Sequence, residues 1–449
     1  MTNRKRVSAR AAGRAVGRPV GRRGMLAAGL GSLAVGSSGN WLTQLAQVLG
    51  QQQQVADPGR PARSLIVLWM QGGPSQLETF DPHPGSTIAA GSEAIKTAVS
   101  GVHISDGLPR LAERMDQVSL VRSIVSKEGD HERASYYVKN GFTPQPTVVH
   151  PSIGAVICHH FPDMVEIPRH VSILPSQWPG RGGYLGDQFD AFQMGDPNRP
   201  IPDVVATVPA SRARRRFSDL VNVVEAEFAR GRLSRMDEKK TLHQASMKQA
   251  LTMMGSEQLK AFDISQEPLE VQRAFGDTPF GRSCLAACRL VAEGVRCVEI
   301  TLSGWDTHVN NHELTSQLNE VQDRAFAALL DTLQQRQLLK STVVMWGGEF
   351  GRTPRLNRFE GRDHWPHGFT MALAGGGIRG GQVVGETSPQ PDLTSRRPAD
   401  NVDKPTSVDQ VHATALAALG VQLDELLYTP DGRPMKINEA APLEKLLLS

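Results

Sequence analysis

Apolar and polar positions alternate along this chain in two rhythms. Short aliphatic and β-branched runs at 65–70, 118–124, 171–174, 297–302, 342–346 and 370–374 read as buried strands, since a strand covered on both faces needs no polar alternation. Between them, apolar residues recur at helical spacing over 132–139, 152–160, 281–293, 314–339 and 408–419. The later strands are joined by crossovers longer than a dozen residues, as parallel pairing requires. The order predicts an α/β fold, a three-layer α/β/α sandwich around a mostly parallel sheet. The stretch 211–262 breaks the rhythm, because dense charges with Met, Leu and Ala at helical spacing predict a helical hairpin inserted into the fold. Its basic run at 212–216 has no interleaved aromatic residue and reads as a solvated helix start.

Acids and histidines cluster just past the strand ends. The run at 342–346 stops on Gly347-Gly348 and then meets Glu349; the run at 65–70 stops on Gly72-Gly73-Pro74 and then meets Glu78 and Asp81; the run at 297–302 leads to Asp306, His308 and His312. Ligands of open α/β sheets gather beyond the carboxyl ends of the strands, so these acids and imidazoles are predicted to share one edge. Arg352, Arg362, Asp363, His364 and His367 come after Glu349 within 18 residues. Carboxylates and histidines without cysteine suit a divalent ion such as zinc, manganese or calcium, and also magnesium or iron. The number of such groups admits two cations about 3.5–4 Å apart, which would activate a water and neutralise a transferring phosphoryl or sulfuryl group. Arg352 is the candidate for bidentate anion recognition. His131 stands at the head of the helix over 132–139, where backbone donors favour an anion.

Charge and composition add a location. The 449 residues carry a net charge of only +3, much of the excess lying within 4–23, and nothing in this balance calls for nucleic acid. Arg22 and Arg23 precede Gly24, Met25, Leu26 and a Gly- and Ala-rich run at 27–36. A basic stretch headed by paired arginines before a short, weakly apolar run predicts a twin-arginine export signal over 1–38, followed by a polar linker over 39–63 and the main domain over 64–440. The run is too short and glycine-rich to span a bilayer stably, and no later segment is long and apolar enough, so the expected destination is periplasmic or extracellular. Cys158, Cys284, Cys288 and Cys297 include no CxxC pair, so buried free thiols are expected and no thiolate zinc site is. The glycines at 375–377 and 380 lack the spacing of a dinucleotide fingerprint, which argues against an oxidoreductase.

Several motifs together resemble a known family. GGPSQLETFDP at 72–82, HERASYYVKNGF at 131–142, GWDTH at 304–308, GGEFGRTP at 347–354, GRDHWPHG at 361–368 and DQVHATALAALG at 409–420, behind a twin-arginine signal, resemble the domain of unknown function 1501 family. These are exported bacterial proteins abundant in planctomycetes and related in fold to alkaline phosphatases and sulfatases. The resemblance implies a metal-dependent esterase site at the strand ends. It puts Asp306 and His308, with His312 as a substitute, on one metal, Glu349 where an aspartate normally precedes a histidine, and His364 or His367 at the last histidine ligand. It also exposes departures. Gln71 stands where the first strand should end in an aspartate, so Asp81 or Glu78 would have to reach in. Counting back from Asn140-Gly141 puts His131 where a hydroxyl or thiol nucleophile is normal, and the formylglycine sequence C-x-P-x-R is absent.

Two functional readings result. The first is an exported, metal-dependent hydrolase of phosphate or sulfate esters or a related anionic substrate, small or polysaccharide. Asp306, His308, Glu349, His364, His367 and Asp81 supply its metal ligands, Arg352 binds the anion, and a metal-bound water or His131 replaces the missing nucleophile. The alternative is a non-catalytic binding or assembly protein of the cell envelope on the same fold.

Overall fold

The computed structural model describes residues 62–448 apart from 163–164, most of 202–248, 396 and 398–399. The expected export signal, nearly all of the expected linker and most of the expected helical insertion lie outside the described residues.

Among the described residues nine strands form the central sheet: β1 (Ser64–Gln71), β2 (Val118–Val125), β3 (His170–Ile173), β4 (Phe192–Met194), β5 (Cys297–Ser303), β6 (Thr342–Gly347), β7 (Phe369–Gly375), β8 (Val383–Val384) and β9 (Thr406–Ser407). Their order is β8-β2-β7-β6-β1-β5-β3-β4, with β9 also paired to β2. Every pairing is parallel except those of β7, which runs antiparallel to both β6 and β2. That reversal matters for the site. Residues that precede β7 arrive at the edge where β1, β5 and β6 end.

Alternation along β1 explains the two helical layers. Ile66, Leu68 and Met70 pack into a core with residues of α3 (Pro279–Ala292) and α4 (Asn311–Gln335). Leu65, Val67 and Trp69 point the other way, into a core with α1 (His131–Asn140), α2 (Ile153–His160) and α5 (Val408–Ala418). Each such aliphatic side chain contributes roughly 1.5–3 kcal/mol when fully buried. A one-residue slip would send each set into the opposite core, which is packed for different side chains.

Local chemistry sets the helix ends. The Asp130 carboxylate accepts from the backbone N–H groups of Glu132 and Arg133, and Gly141, at φ 73°, ends α1 in the left-handed region. Ser152 caps α2, Thr278 with Pro279 opens α3, and Ser407 with Gln410 forms a capping box on α5. Helix α4 begins at Asn311, three residues before the periodic pattern suggests, which puts His312 in its first turn. All four cysteines are buried and free, and burial pushes the thiols of Cys158 and Cys288 up to about 12.

Candidate metal centre

The centre is assembled where the loops after β1, β5 and β6 meet the head of α1 and the segment before β7. Gly72 makes the close approach. Its φ is +117°, and a Cβ there would fall 2.4 Å from the backbone nitrogen of Asp306, so only glycine lets the loop after β1 lie against the loop after β5. The Gly72 N–H donates to Glu349 Oε1 at 2.9 Å, and the same oxygen accepts from His131 Nδ1 at 2.8 Å. Glu349 is fully buried, and its second oxygen has no hydrogen-bond partner among the described residues.

Asp306 stands at the middle. Its Oδ1 accepts from Arg352 Nη2 at 2.6 Å and lies 3.1 Å from His308 Nε2 and 3.2 Å from His364 Nε2. Its Oδ2 lies 3.5 Å from His131 Nε2. His308 Nε2 and His364 Nε2 are themselves 3.1 Å apart. His364 is held by a short antiparallel ribbon in which it pairs with Arg352, and the Phe350 ring tilts against it at 4.3 Å between centroids.

The outer nitrogens determine what the inner ones can do. His131 Nδ1 faces the Glu349 carboxylate, His308 Nδ1 faces Asp363 Oδ1 at 2.9 Å, and His364 Nδ1 faces the Gly129 carbonyl at 2.9 Å. These three partners only accept, so each Nδ1 carries a proton, and a ring in its neutral form turns an Nε2 lone pair inward. Three Nε2 atoms and a carboxylate therefore converge, and with the rings neutral the 3.1 Å contact between His308 and His364 is repulsive unless a cation or a shared proton lies between them. The side chains of His131, Asp306 and His364 offer ligand atoms all within 4.8 Å of one another, and His308 approaches two of these three. Ligands of a tetrahedral zinc, at about 2.0–2.1 Å from the ion, stand about 3.3 Å apart, close to the separations of Asp306 from the three rings and of His308 from His364.

Electrostatics agree. Burial pushes the Asp306 carboxyl up, but its contact with the His364 ring and the hydrogen bond and charge of the Arg352 guanidinium outweigh it and hold the group well below the usual carboxylate range. The hydrogen bond to Glu349 raises the His131 pKa against the opposing effect of burial.

Other residues singled out by the sequence sit elsewhere. Arg352 is not free to bind an anion. Its side chain is fully buried and donates to the carbonyls of Gly72, Gly73 and Arg362 as well as to Asp306. The head of α1 is likewise taken, by Asp130. Asp81 is buried away from the cluster, because the turn that returns its N–H to the Gln76 carbonyl curls it towards Arg122, His83 and the Thr387 N–H. Glu78 pairs with Arg362 at 2.7 Å, and His312 Nε2 lies 2.9 Å from the Ala90 carbonyl, to which it donates. His367 is half-buried outside the cluster, its Nδ1 without a partner. Glu349 orients His131 rather than facing the centre with its own oxygens, so the described residues form one group of ligands, not two. Asp363 is named among the residues after Glu349 in the sequence reading but given no role there, and the Gly129 carbonyl is not read at all. Asp363 carries a signal, being next to His364 in GRDHWPHG, but a carbonyl carries none.

A family profile described as Protein of unknown function (DUF1501) matches residues 62–447. The chain belongs to the DUF1501 family. No functionally curated protein matches it. Among solved structures, this DUF1501 chain is similar to the PsFucS1 sulfatase from Pseudoalteromonas sp., at 13% identity and TM-score 0.38 over 85% of this chain and 72% of that one. It is similar to an alkaline phosphatase superfamily protein from Vibrio parahaemolyticus, at 12% identity and TM-score 0.34 over 85% and 76%. It is also similar to the C-terminal periplasmic domain of EcEptC from Escherichia coli, in complex with Zn, at 9% identity and TM-score 0.38 over 82% and 84%.

Proposed function

We propose that this protein is an exported hydrolase of phosphate or sulfate esters, or of a related anionic substrate, working with a divalent ion held by His131, Asp306, His308 and His364. The observation that carries this reading is the inward turn of three imidazole lone pairs beside an ionised carboxylate. Three nitrogens and one oxygen favour zinc over calcium or magnesium, which prefer all-oxygen shells. Glu349, Asp363 and the Gly129 carbonyl hold the rings in the ligating tautomer, as outer partners of metal-binding histidines commonly do. Arg352 keeps Asp306 charged and fixes its orientation. A divalent ion bound there supplies Lewis acidity towards an ester oxygen and an attacking water. The side chains of Asp306 and His308, 47% and 44% exposed, leave the centre open to solvent on one side for an ester to enter. His131 occupies the helix head with both ring nitrogens committed, and the nearest hydroxyl on that face of α1, Ser135, is buried one turn further in, so the attacking group is a water.

The test is elemental analysis of the mature chain, purified without stripping, with phosphate and sulfate ester hydrolysis measured on the same sample. One equivalent of zinc or a similar ion, lost in both His308→Ala and His364→Ala together with ester turnover, is expected. A well-folded sample that holds no ion after supply of zinc, manganese and calcium overturns the metal site. A bound ion with no turnover across the ester panel overturns the hydrolase and favours the envelope-binding alternative. Export is checked by fusing residues 1–38 to a reporter that acts only after crossing the membrane folded, with loss of signal expected when Arg22 and Arg23 both become Lys.

A further inference from the structure

Arg352 and the head of α1 are both occupied, so recognition of an anionic substrate needs other groups. The loop at 353–363 supplies them. Arg355 and Arg358 are exposed, and neither meets a carboxylate among the described residues. The Arg358 guanidinium lies 4.6 Å from the centroid of the Phe359 ring, which is 53% exposed, and Val309, next to His308, is 48% exposed. An exposed aromatic face with a cation stacked on it, beside an exposed aliphatic side chain, is a surface built for a ring that carries charge.

The loop is held rigidly to the metal centre. The N–H groups of Asn310 and Asn311 donate to the carbonyls of Phe359 and Glu360, at 3.1 and 2.9 Å. Asn357 Nδ2 donates to the His308 carbonyl at 3.0 Å and to Asp363 Oδ1 at 3.1 Å, while its Oδ1 accepts from the N–H groups of Phe359 and Gly361. A Cβ on Gly361 would fall 1.9 Å from the His308 carbonyl oxygen, so the two backbones are in direct contact. Glu360 and Asn310 adopt φ values of 57° and 47°, strained for residues with side chains. Strain and hydrogen bonds both serve to present Phe359 and Arg358 at a set distance from His308.

We propose that Phe359, Arg358 and Arg355 form a binding platform for an extended anionic saccharide, a sugar ring lying on Phe359 and its acidic substituents facing the two arginines. This deepens the ester hydrolase reading and rests on it for the identity of the reacting group. A saccharide fits better than single-stranded nucleic acid, which needs a file of aromatic residues along a basic groove; here a single exposed ring stands with two arginines of its own loop.

The mature chain with its metal content intact is titrated with low-mass dextran sulfate, unsulfated dextran of the same length and single-stranded oligothymidylate. Dextran sulfate is expected to bind more tightly than either control. Phe359→Ala should weaken that binding by roughly tenfold and Arg358→Ala should weaken it while lowering its salt dependence. Tyr428→Ala, which removes an exposed ring elsewhere (62% exposed), should leave it unchanged. Metal content and thermal unfolding, read on the same samples, should not move in the loop variants. Unchanged dextran sulfate binding in Phe359→Ala with the ion still present overturns the platform alone. Tighter binding of oligothymidylate through Phe359 overturns the saccharide. Loss of the ion from the parent chain with Phe359-dependent saccharide binding retained overturns the hydrolase reading and leaves the platform standing.

Discussion

Replacing Glu349 by Gln tests whether the buried carboxylate sets the direction of the His131 ring. The change conserves shape but removes the charge, and the amide has two ways to sit. With its oxygen towards Gly72 and His131 it keeps the bonds now measured at 2.9 and 2.8 Å, but it leaves an NH2 group where a carboxylate oxygen is now buried without a partner. With its NH2 towards His131 it forces the proton onto Nε2 and takes away the inward lone pair. Either outcome lowers the basicity of His131. Loss of such an outer partner typically weakens metal binding about 10- to 100-fold, or about 1.4–2.7 kcal/mol. The fold without metal should change by less, about 1 kcal/mol or under, since the imidazole can keep a neutral hydrogen-bond partner and no uncompensated charge is left behind. Zinc affinity is measured by competition with a chromophoric chelator, and stability by urea unfolding of the metal-free protein. Zinc binding within twofold of the parent would refute the orienting role of Glu349. A metal-free fold weakened as much as the affinity would show that the loss is structural.

Three further outcomes are expected. Lys139 and Glu299 form a buried pair at 2.6 Å in the layer below the site; Lys139→Met strands the carboxylate and should cost about 3–5 kcal/mol in urea unfolding, most of it recovered when Glu299→Leu is added. Gly72→Ala, with a Cβ 2.4 Å from the Asp306 nitrogen and a φ of +117°, should lose about 1–3 kcal/mol or more and lower metal content, because Asp306 must move. Burial raises the Glu78 pKa, but Arg362 and its hydrogen bonds outweigh this and leave it below the ordinary value. A depressed folded pKa means that the group stabilises the fold above its unfolded pKa, and that this stabilisation is lost as pH falls through the folded value. Urea midpoints from about pH 5 to about pH 3 should therefore fall less steeply for Glu78→Gln than for the parent, and equal slopes would refute the assignment.

The order of residues alone is enough for the alternation of strand and helix, the parallel sense of most of the sheet and the edge at which the chemistry lies, because apolar period and glycine punctuation are local properties. Asp306, His308 and His364 were legible for the same reason: each stands close to the end or beginning of a strand whose boundaries the pattern marks. The direction in which each side chain turns is not local. Whether Glu349 faces the centre or braces His131 depends on the Gly72 N–H, 277 residues away in the chain. Whether Arg352 is free depends on oxygen partners at Gly72, Gly73, Asp306 and Arg362, and whether Asp81 reaches the cluster depends on a tight turn that aims it at Arg122. The reversal of β7, which delivers His364 to the same edge, is a matter of strand order that no local pattern encodes. Long-range hydrogen bonds among buried polar groups decided those points, since a buried polar atom must find its partner wherever the fold provides one.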